Sequence, residues 1–490
     1  MSSNSHNKTG WRRAWLAWAA FVALLLALLA QGVAWELRTS TLQARYFTEL
    51  ARTLDFRVEA GPSPAIRYPT SGPFDERLGY TKIPAYVERL RLHGYSVVAQ
   101  ARQSQPLREF GERGFFPPYQ EKVQAGLQLL DCRATPMFGA GYPSRVYADY
   151  DAVPPLVMET LSFIENRELL AAHDPRHNPA VELPRLAKAV VDQAVAAVDP
   201  SYPAAGGSTL ATQIEKYRHS PEGRTASIRD KYRQMFSASV RAYRDGEETV
   251  AARKRIIAEY LDTLPLGAFP GYGEVNGIGD GLWAWYGADF DAANRALHRS
   301  HAEGDALRAQ ARAYRQVLSL LIAQRRPSFY FGAGQEQLAR LTESYLRVLG
   351  EAGVIAPALR DAALQFRPAV RSDIGPRTND DFSARKGSNL VRVELASLLD
   401  MTRMYDLDRL DLSVDSSLDA PLQAAVTEWL LALRKPANAK AAGMIGPHLL
   451  ERGDPSRLFY SFTLYERGED GNRLRVQADN LDQPFDINAG

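Results

Sequence analysis

One cysteine in 490 residues, Cys132, excludes an intramolecular disulfide, and with no His and Asn pattern around it the residue reads as a core side chain, not a nucleophile. An excess of one charge is missing too. Lys and Arg number 59 against 57 Asp and Glu, a formal net charge of +2. There is thus no global basic field of the kind nucleic-acid binders use, and an anionic partner must be met locally. No Gly-x-x-x-x-Gly-Lys-Ser/Thr phosphate loop occurs, and Gly271, Gly273 and Gly277 miss the dinucleotide spacing, which argues against a nucleotide donor. Histidines number 8. His173 and His177 have helical i, i+4 spacing, but Pro175 between them breaks the shared face a zinc pair needs.

What is present is ample apolar content, 45%, enough for packed cores in a chain long enough for two to four domains. Ala14 to Trp35 carries no charge over 22 residues, so as a helix it spans the hydrocarbon layer of roughly 30 Å. Lys8, Arg12 and Arg13 precede it, which by the positive-inside rule keeps residues 1–13 cytoplasmic. Trp11, Trp15 and Trp35 suit the interfacial belts. A cleaved signal peptide is the competing reading, but the run is long for one and no small-x-small cleavage site ends it. The expectation is a single transmembrane helix over 14–35, with the bulk of the chain outside the cytoplasm at the inner membrane.

The chain is organised around Gly206-Gly207-Ser208-Thr209. The paired glycines permit a sharp turn, Ser208 or Thr209 can cap a helix, and Leu210, Ile214 and Tyr217 then recur at i, i+4 and i+7. A capped helix N-terminus favours anions. From Lys216 to Arg233 six cations face two acids, an excess of four, so positive charge is concentrated here. The bland alternative is a loop followed by a solvated, charge-rich helix.

In chain order, a helix from Glu36 to about Asp55 continues out of the membrane, with Leu37, Leu42, Phe47, Leu50 and Leu54 as packing positions. Gly61 to Pro73 reads as a linker. A helix over Ile83–Leu92 and a strand over Tyr95–Gln100 make a small α/β module within 36–130. Ser144–Ala148 reads as a strand, and Pro154-Pro155 starts a helix that ends at Glu165. Helices are predicted over Leu183–Val198, Ile228–Tyr243 and Val250–Leu264. From Ala292 to Leu364 the pattern is almost all helical, interrupted at Arg325-Arg326-Pro327. A strand over Leu410–Asp415 leads into a helix over Ala420–Leu433. Phe459–Tyr465 and Leu474–Ala478 pair as a hairpin turned at Gly468–Gly471.

A lone carboxylate ending an apolar helix, an anion turn, a cationic helix and a membrane anchor suit chemistry on a lipid-linked phosphate. One carboxylate takes a proton from an attacking hydroxyl and fixed cations stabilise a departing diphosphate. These residues resemble the peptidoglycan glycosyltransferases, the lysozyme-like domain of class A penicillin-binding proteins and monofunctional transglycosylases. Their Gly-Gly-Ser-Thr-x-x-x-Gln-x-x-Lys pattern stands here as Gly206, Gly207, Ser208, Thr209, Gln213 and Lys216. Pro143 to Ala148, Pro154-Pro155 and Glu165-Asn166-Arg167 precede it in the family's order. Ile256 to Asp262 and Trp285-Tyr286-Gly287 follow it, and the likeness covers about Met137 to Asp289.

By that resemblance Glu165 is the general base, Ser208, Thr209, Gln213 and Lys216 line the diphosphate, and Lys231 neutralises the leaving group. Asn166 stands where the family has Asp, Leu169 where it has Phe, and Gln234 where it has its second carboxylate, with Arg229 one residue from the motif's arginine. A neutral amide cannot supply charge to a metal. The expected site is therefore catalytic Glu165, Lys231 and Gln234, with Asn166, Gly207, Ser208, Thr209, Gln213, Lys216 and Arg229 binding substrate and no resident metal. No cofactor is required, a divalent cation (Mg or Mn) at the diphosphate being the one candidate. The implied partners are a lipid-linked peptidoglycan precursor, the membrane and other cell-wall synthesis proteins, without nucleic acid.

The implied fold is mainly α: a lysozyme-like glycosyltransferase domain over 131–300, a helical extension over 301–410, and the start of a transpeptidase-like α+β segment over 411–490. Leu412 to Gln423 resembles the segment that links the two domains of class A penicillin-binding proteins, whose transpeptidase nucleophile would lie beyond Gly490. Ser383-Ala384-Arg385-Lys386 matches a Ser-x-x-Lys motif by chance, with no partner motif. Two other classes share features: a non-catalytic envelope scaffold, and a lysozyme-like hydrolase.

Overall fold

The computed structural model describes residues 6–171, 174–182, 208–373, 382–446, 453–469 and 471–481. The helix expected over Leu183–Val198, the glycines Gly206 and Gly207, and His173 lie outside these residues.

Helix α1 (His6–Thr39) contains the one described segment long and apolar enough to cross a membrane, Trp15–Thr39. None of its apolar window is buried by the rest of the protein, so its exposed Trp, Leu and Phe side chains fit a membrane anchor. The helix does not run on to Asp55 as the sequence suggested. Ser40 adopts a left-handed conformation (φ 51°, ψ 29°), and α2 (Thr41–Thr53) starts in a new direction. The break changes which residues face inward: Phe47 and Leu54 are buried, while Leu42 is 61% exposed.

Residues 56–139 supply three short helices, α3 (Pro73–Arg77), α4 (Ile83–Leu92) and α5 (Gln105–Glu112), and four strands. Strand β1 (Phe56–Ala60) pairs antiparallel with β2 (Ala99–Gln103). The expected strand over Tyr95–Gln100 is displaced to β2, because its register is set by β1, which carries no strong strand pattern of its own. Strands β3 (Gln128–Leu130) and β4 (Pro136–Gly139) are antiparallel, and β3 also pairs in parallel with β7 (Ser413–Asp415), nearly three hundred residues on. Cys132, in the bend after β3, is exposed, not in a core.

The main core belongs to the helices that follow. α6 (Pro155–Glu165) starts with proline at its first position, where no amide donor is needed, and buries Val157 and Leu161. After α7 (Glu168–Ala171) come α8 (Leu210–His219), α9 (Ile228–Ala242) and α10 (Val250–Thr263), then a hairpin of β5 (Pro265–Phe269) and β6 (Gly273–Asn276), and α11 (Gly277–Tyr286). α12 (Phe290–Leu297), α13 (Gly304–Ala323), α14 (Pro327–Tyr330), α15 (Gln335–Glu351) and α16 (Pro357–Gln365) extend the same bundle. One apolar cluster runs from Tyr147 to Ala363, with Leu161, Leu210, Ile257, Leu261, Leu282 and Leu318 inside it. Each fully buried Leu or Ile contributes about 2 kcal/mol. The described residues are thus mainly α, with small peripheral sheets.

Ser144–Ala148 is not a strand. It is held against α11 and α10 by side chains instead: Asp280 of α11 accepts from the amides of Ser144 (2.8 Å) and Arg145 (3.2 Å), and Asp262 of α10 from that of Tyr147 (3.0 Å). Gly279 permits the approach, since a Cβ there would lie 2.3 Å from Arg145 O. Behind this bundle, α17 (Phe382–Leu399) and α18 (Met404–Leu407) share a core with β3, Leu127 and Leu410. α19 (Ala420–Ala432) packs on the hairpin β8 (Ser461–Gly468) and β9 (Gly471–Asp479), close to the sequence reading. Lys386 of the Ser-x-x-Lys match is ion-paired with Asp479.

A buried ionic cluster fastens the 73–121 segment to the bundle. Glu121 receives Arg218 (2.8 Å), His219 Nε2 (2.9 Å) and Arg241 (2.9 Å). His219 Nδ1 is 2.8 Å from Asp75, Arg241 also holds Glu215 (2.6 Å), and Arg218 holds Glu259 (3.0 Å). Burial alone would lower the His219 pKa, but Glu121 and Asp75 outweigh it and push it up to about 10. A histidine that gains affinity for its proton on folding stabilises the fold fully below its unfolded pKa. Stability from this source should therefore decline as pH rises from about 6.5 and be gone above about 10, which denaturant melts at stepped pH will read. Glu121→Gln should cost about 3–5 kcal/mol, because it leaves buried cations without their shared carboxylate.

Candidate functional site

Glu165 is the last residue of α6 and is buried to 9% exposure. Its carboxylate faces α8 and the end of α13. Gln213 Nε2 donates to Oε2 at 3.3 Å, while Gln324 Nε2 (3.5 Å) and the Arg325 guanidinium (3.4 Å) approach Oε1. The Tyr217 hydroxyl lies 2.8 Å from Gln324 Oε1 and 3.1 Å from Gln213 Oε1, and Tyr260 donates to the latter at 3.3 Å. Two carboxamides locked by tyrosine hydroxyls thus aim their N–H groups at one carboxylate. Burial and the Glu165 charge both raise the Tyr217 pKa, so this hydroxyl stays protonated.

Gln213 and Lys216 are one helical step apart on α8, so both face Glu165. Burial lowers the Lys216 pKa, and the nearby Glu165 charge opposes that shift. Lys216 Nζ also sits 4.4 Å from the Tyr217 ring centroid. At the start of the same helix Thr209 is the N-cap, its side chain accepting from Thr212 N, and the neighbouring Ser208 hydroxyl receives Lys231 Nζ at 2.6 Å. Ser208 and Gln213 are roughly 7 Å apart along the axis of α8 at 1.5 Å per residue. The acid therefore lies beside the middle of α8 and the Lys231 cation at its N-terminus.

Three further expected residues lie differently. Asn166, beside Glu165, is buried, and neither atom of its amide has a hydrogen-bond partner among the described residues. An ionised Asp in that place would be an unpaired buried charge, so the neutral amide is the less costly occupant. Gln234 is 1% exposed, and its amide joins the α8–α9 connection: Nε2 donates to Ser220 Oγ (2.9 Å) and lies 3.0 Å from Thr225 Oγ1. A glutamate could not donate these bonds. Arg229 is exposed on the first turn of α9, on a different face from Lys231. Gly207 falls outside the described residues.

Gln324 and Arg325 were not picked out as site residues by sequence. The available signal was the pair of arginines before Pro327, which ends the apolar α13 with charge. Their proximity to Glu165, 159 and 160 residues earlier, could not be read locally.

Glu165 is thus a buried carboxylate met by two amide donors and a guanidinium, beside a helix capped by Thr209. Residues 135–348 match the family model described as Transglycosylase, and this stretch is a transglycosylase domain of the peptidoglycan glycosyltransferase family, an enzyme domain with glycosyltransferase activity. The match takes in fewer than half of the residues, and it ends within α15, short of the end of the core. No curated protein matches the chain.

The electrostatic link between Glu165 and Lys216 is testable by titration. In Glu165→Gln the attraction opposing burial is gone, so Lys216 should titrate lower than in the parent protein, measured by NMR on lysine-labelled protein. An unchanged or higher value would separate the two groups.

Proposed function

We propose that this protein polymerises a lipid-linked disaccharide-peptide into glycan strands at the outer face of the inner membrane, with Glu165 as general base. The supporting observation is the single buried carboxylate at the end of α6, held by Gln213 and Arg325 and facing Lys216 on the helix whose N-terminus engages Lys231. The exposed apolar α1 fits a substrate that resides in a bilayer.

In the proposed step the acceptor sugar hydroxyl gives its proton to Glu165 as its oxygen bonds to the anomeric carbon of the donor. The bond from that carbon to the diphosphate oxygen breaks, and its electron pair leaves with the diphosphate. Attack from the opposite face inverts the centre. Lys231, Ser208 and Lys216, with the positive end of the α8 dipole, stabilise the charge that accumulates on the leaving group. Arg325 pairs with Glu165 at 3.4 Å and adds a fixed positive charge beside it.

The described residues contain no group of three or more His, Cys, Asp or Glu suited to a metal, and the amide of Gln234 is engaged by Ser220 and Thr225. No step is routed through a metal.

Purified full chain should elongate labelled lipid-linked precursor, and Glu165→Gln should lower turnover about 10²–10⁴-fold while precursor binding persists. Ser208→Ala and Lys231→Ala should combine less than additively, because their side chains share one 2.6 Å hydrogen bond. Full turnover in Glu165→Gln would remove its role as base. Binding without product from the parent chain would favour the scaffold reading, and soluble sugars from finished wall the hydrolase.

A further inference from the structure

The break between α1 and α2 is built, not incidental. Ser40 is 2% exposed and left-handed, a conformation that costs a non-glycine residue about 1–3 kcal/mol unless its surroundings impose it. Glu36, one turn earlier, caps the new helix: its carboxylate accepts from the amides of Leu42 (2.8 Å) and Gln43 (2.9 Å). That leaves the Ser40 hydroxyl available to a neighbour, and the backbone N–H of Asn178 donates to it at 3.1 Å.

Asn178 is 1% exposed, and every polar atom of its side chain is used. Nδ2 donates to Gln43 Oε1 (2.9 Å) on α2 and to Ser239 Oγ (3.0 Å) on α9, while Oδ1 accepts from Ala180 N (2.9 Å). The segment around it is fixed on its other side as well. Tyr243 donates to Arg176 O (2.6 Å), Thr249 to His177 O (2.6 Å) and Arg253 to Asp174 O (3.1 Å). Phe47 of α2 stacks on Tyr243 with centroids 5.9 Å apart.

The backbone N–H of Asn178 therefore holds the exit of the apolar helix, and its buried side-chain amide joins α2 and the helix that carries Lys231 to the stretch of chain between Glu165 and Ser208. We propose that Asn178 is a positioning residue that fixes the angle between the membrane helix α1 and α9, and so holds the cleft at one height and tilt above the bilayer. The consequence for turnover rests on the reading of the substrate as membrane-embedded; the geometric claim does not.

The full chain carrying Cys132→Ser, with spin labels at Leu29 in α1 and Glu248 before α10, is to be reconstituted in phospholipid vesicles. The parent pair should give one narrow distance distribution, and Asn178→Ala a broad one. Gln43→Ala, which removes one partner at a partly exposed position, should broaden it in the same sense if Asn178→Ala fails to fold. In parallel, turnover of lipid-linked precursor in vesicles should fall about ten-fold or more in these variants, a loss typical of small misplacements, while turnover of the same precursor dispersed in detergent stays close to the parent.

Unchanged label distances in Gln43→Ala, or equal losses in vesicles and detergent, would overturn the proposal. Should the parent chain polymerise nothing in either medium, the glycosyltransfer reading fails and the label distances still decide the geometry.

Discussion

Glu121 is the carboxylate on which the arrangement of α8 depends. Two guanidiniums and an imidazolium meet it in the protein interior, and although each also pairs with a second carboxylate, Glu121 is the one all three share. Two of those cations, Arg218 and His219, are in the last turn of α8, where the helix dipole also favours positive charge. The cluster anchors the C-terminal end of α8 to α3, to the chain after α5, and to α9 and α10. With that end fixed, Gln213 and Lys216 one turn back are presented to Glu165, and Ser208 at the other end to Lys231. The contacts to Glu165 and Lys231 are short-range, but the helix that makes them is held at its far end by charges that do not touch Glu165.

What could be read in the sequence was what neighbours in the chain decide. α6, α9, α10 and α19 follow from apolar spacing, a proline in the first turn, or a Ser or Asp cap, and their observed ends lie within two residues of those expected. The Gly-Gly-Ser-Thr turn led to α8 because its signal is local and ordered. The failures share a different cause. No glycine or proline marks the turn at Ser40, since Glu36 and Asn178 impose it. Ser144–Ala148 has a strand-like pattern but finds aspartates, not another strand, as its hydrogen-bond acceptors. The partners of Arg218 and His219 in the ionic cluster lie 97 and 144 residues away, and Gln324 and Arg325 are equally remote from Glu165. Such pairings depend on tertiary packing and leave no trace at either position alone.

The departures from the family's usual residues acquire a physical reading from their surroundings. At Asn166 a buried amide without hydrogen-bond partners among the described residues stands where a carboxylate would be a buried charge. At Gln234 an amide donates to Ser220 and meets Thr225 through both its nitrogen and its oxygen, where a carboxylate could only accept. In both places a neutral side chain avoids burying a charge, though the Asn166 amide is itself unsatisfied among the described residues and only the Gln234 amide is fully engaged.

The parallel pairing of β3 with β7 joins the chain just before the transglycosylase domain to the chain well after it. Because the strands run the same way, tension applied between the α1 end and the α19 end pulls them past each other lengthwise and loads their hydrogen bonds together, instead of opening them one at a time. Force applied to the two ends would thus be borne by this strap, and the helices that lie between its two strands in sequence would stay off the line of force.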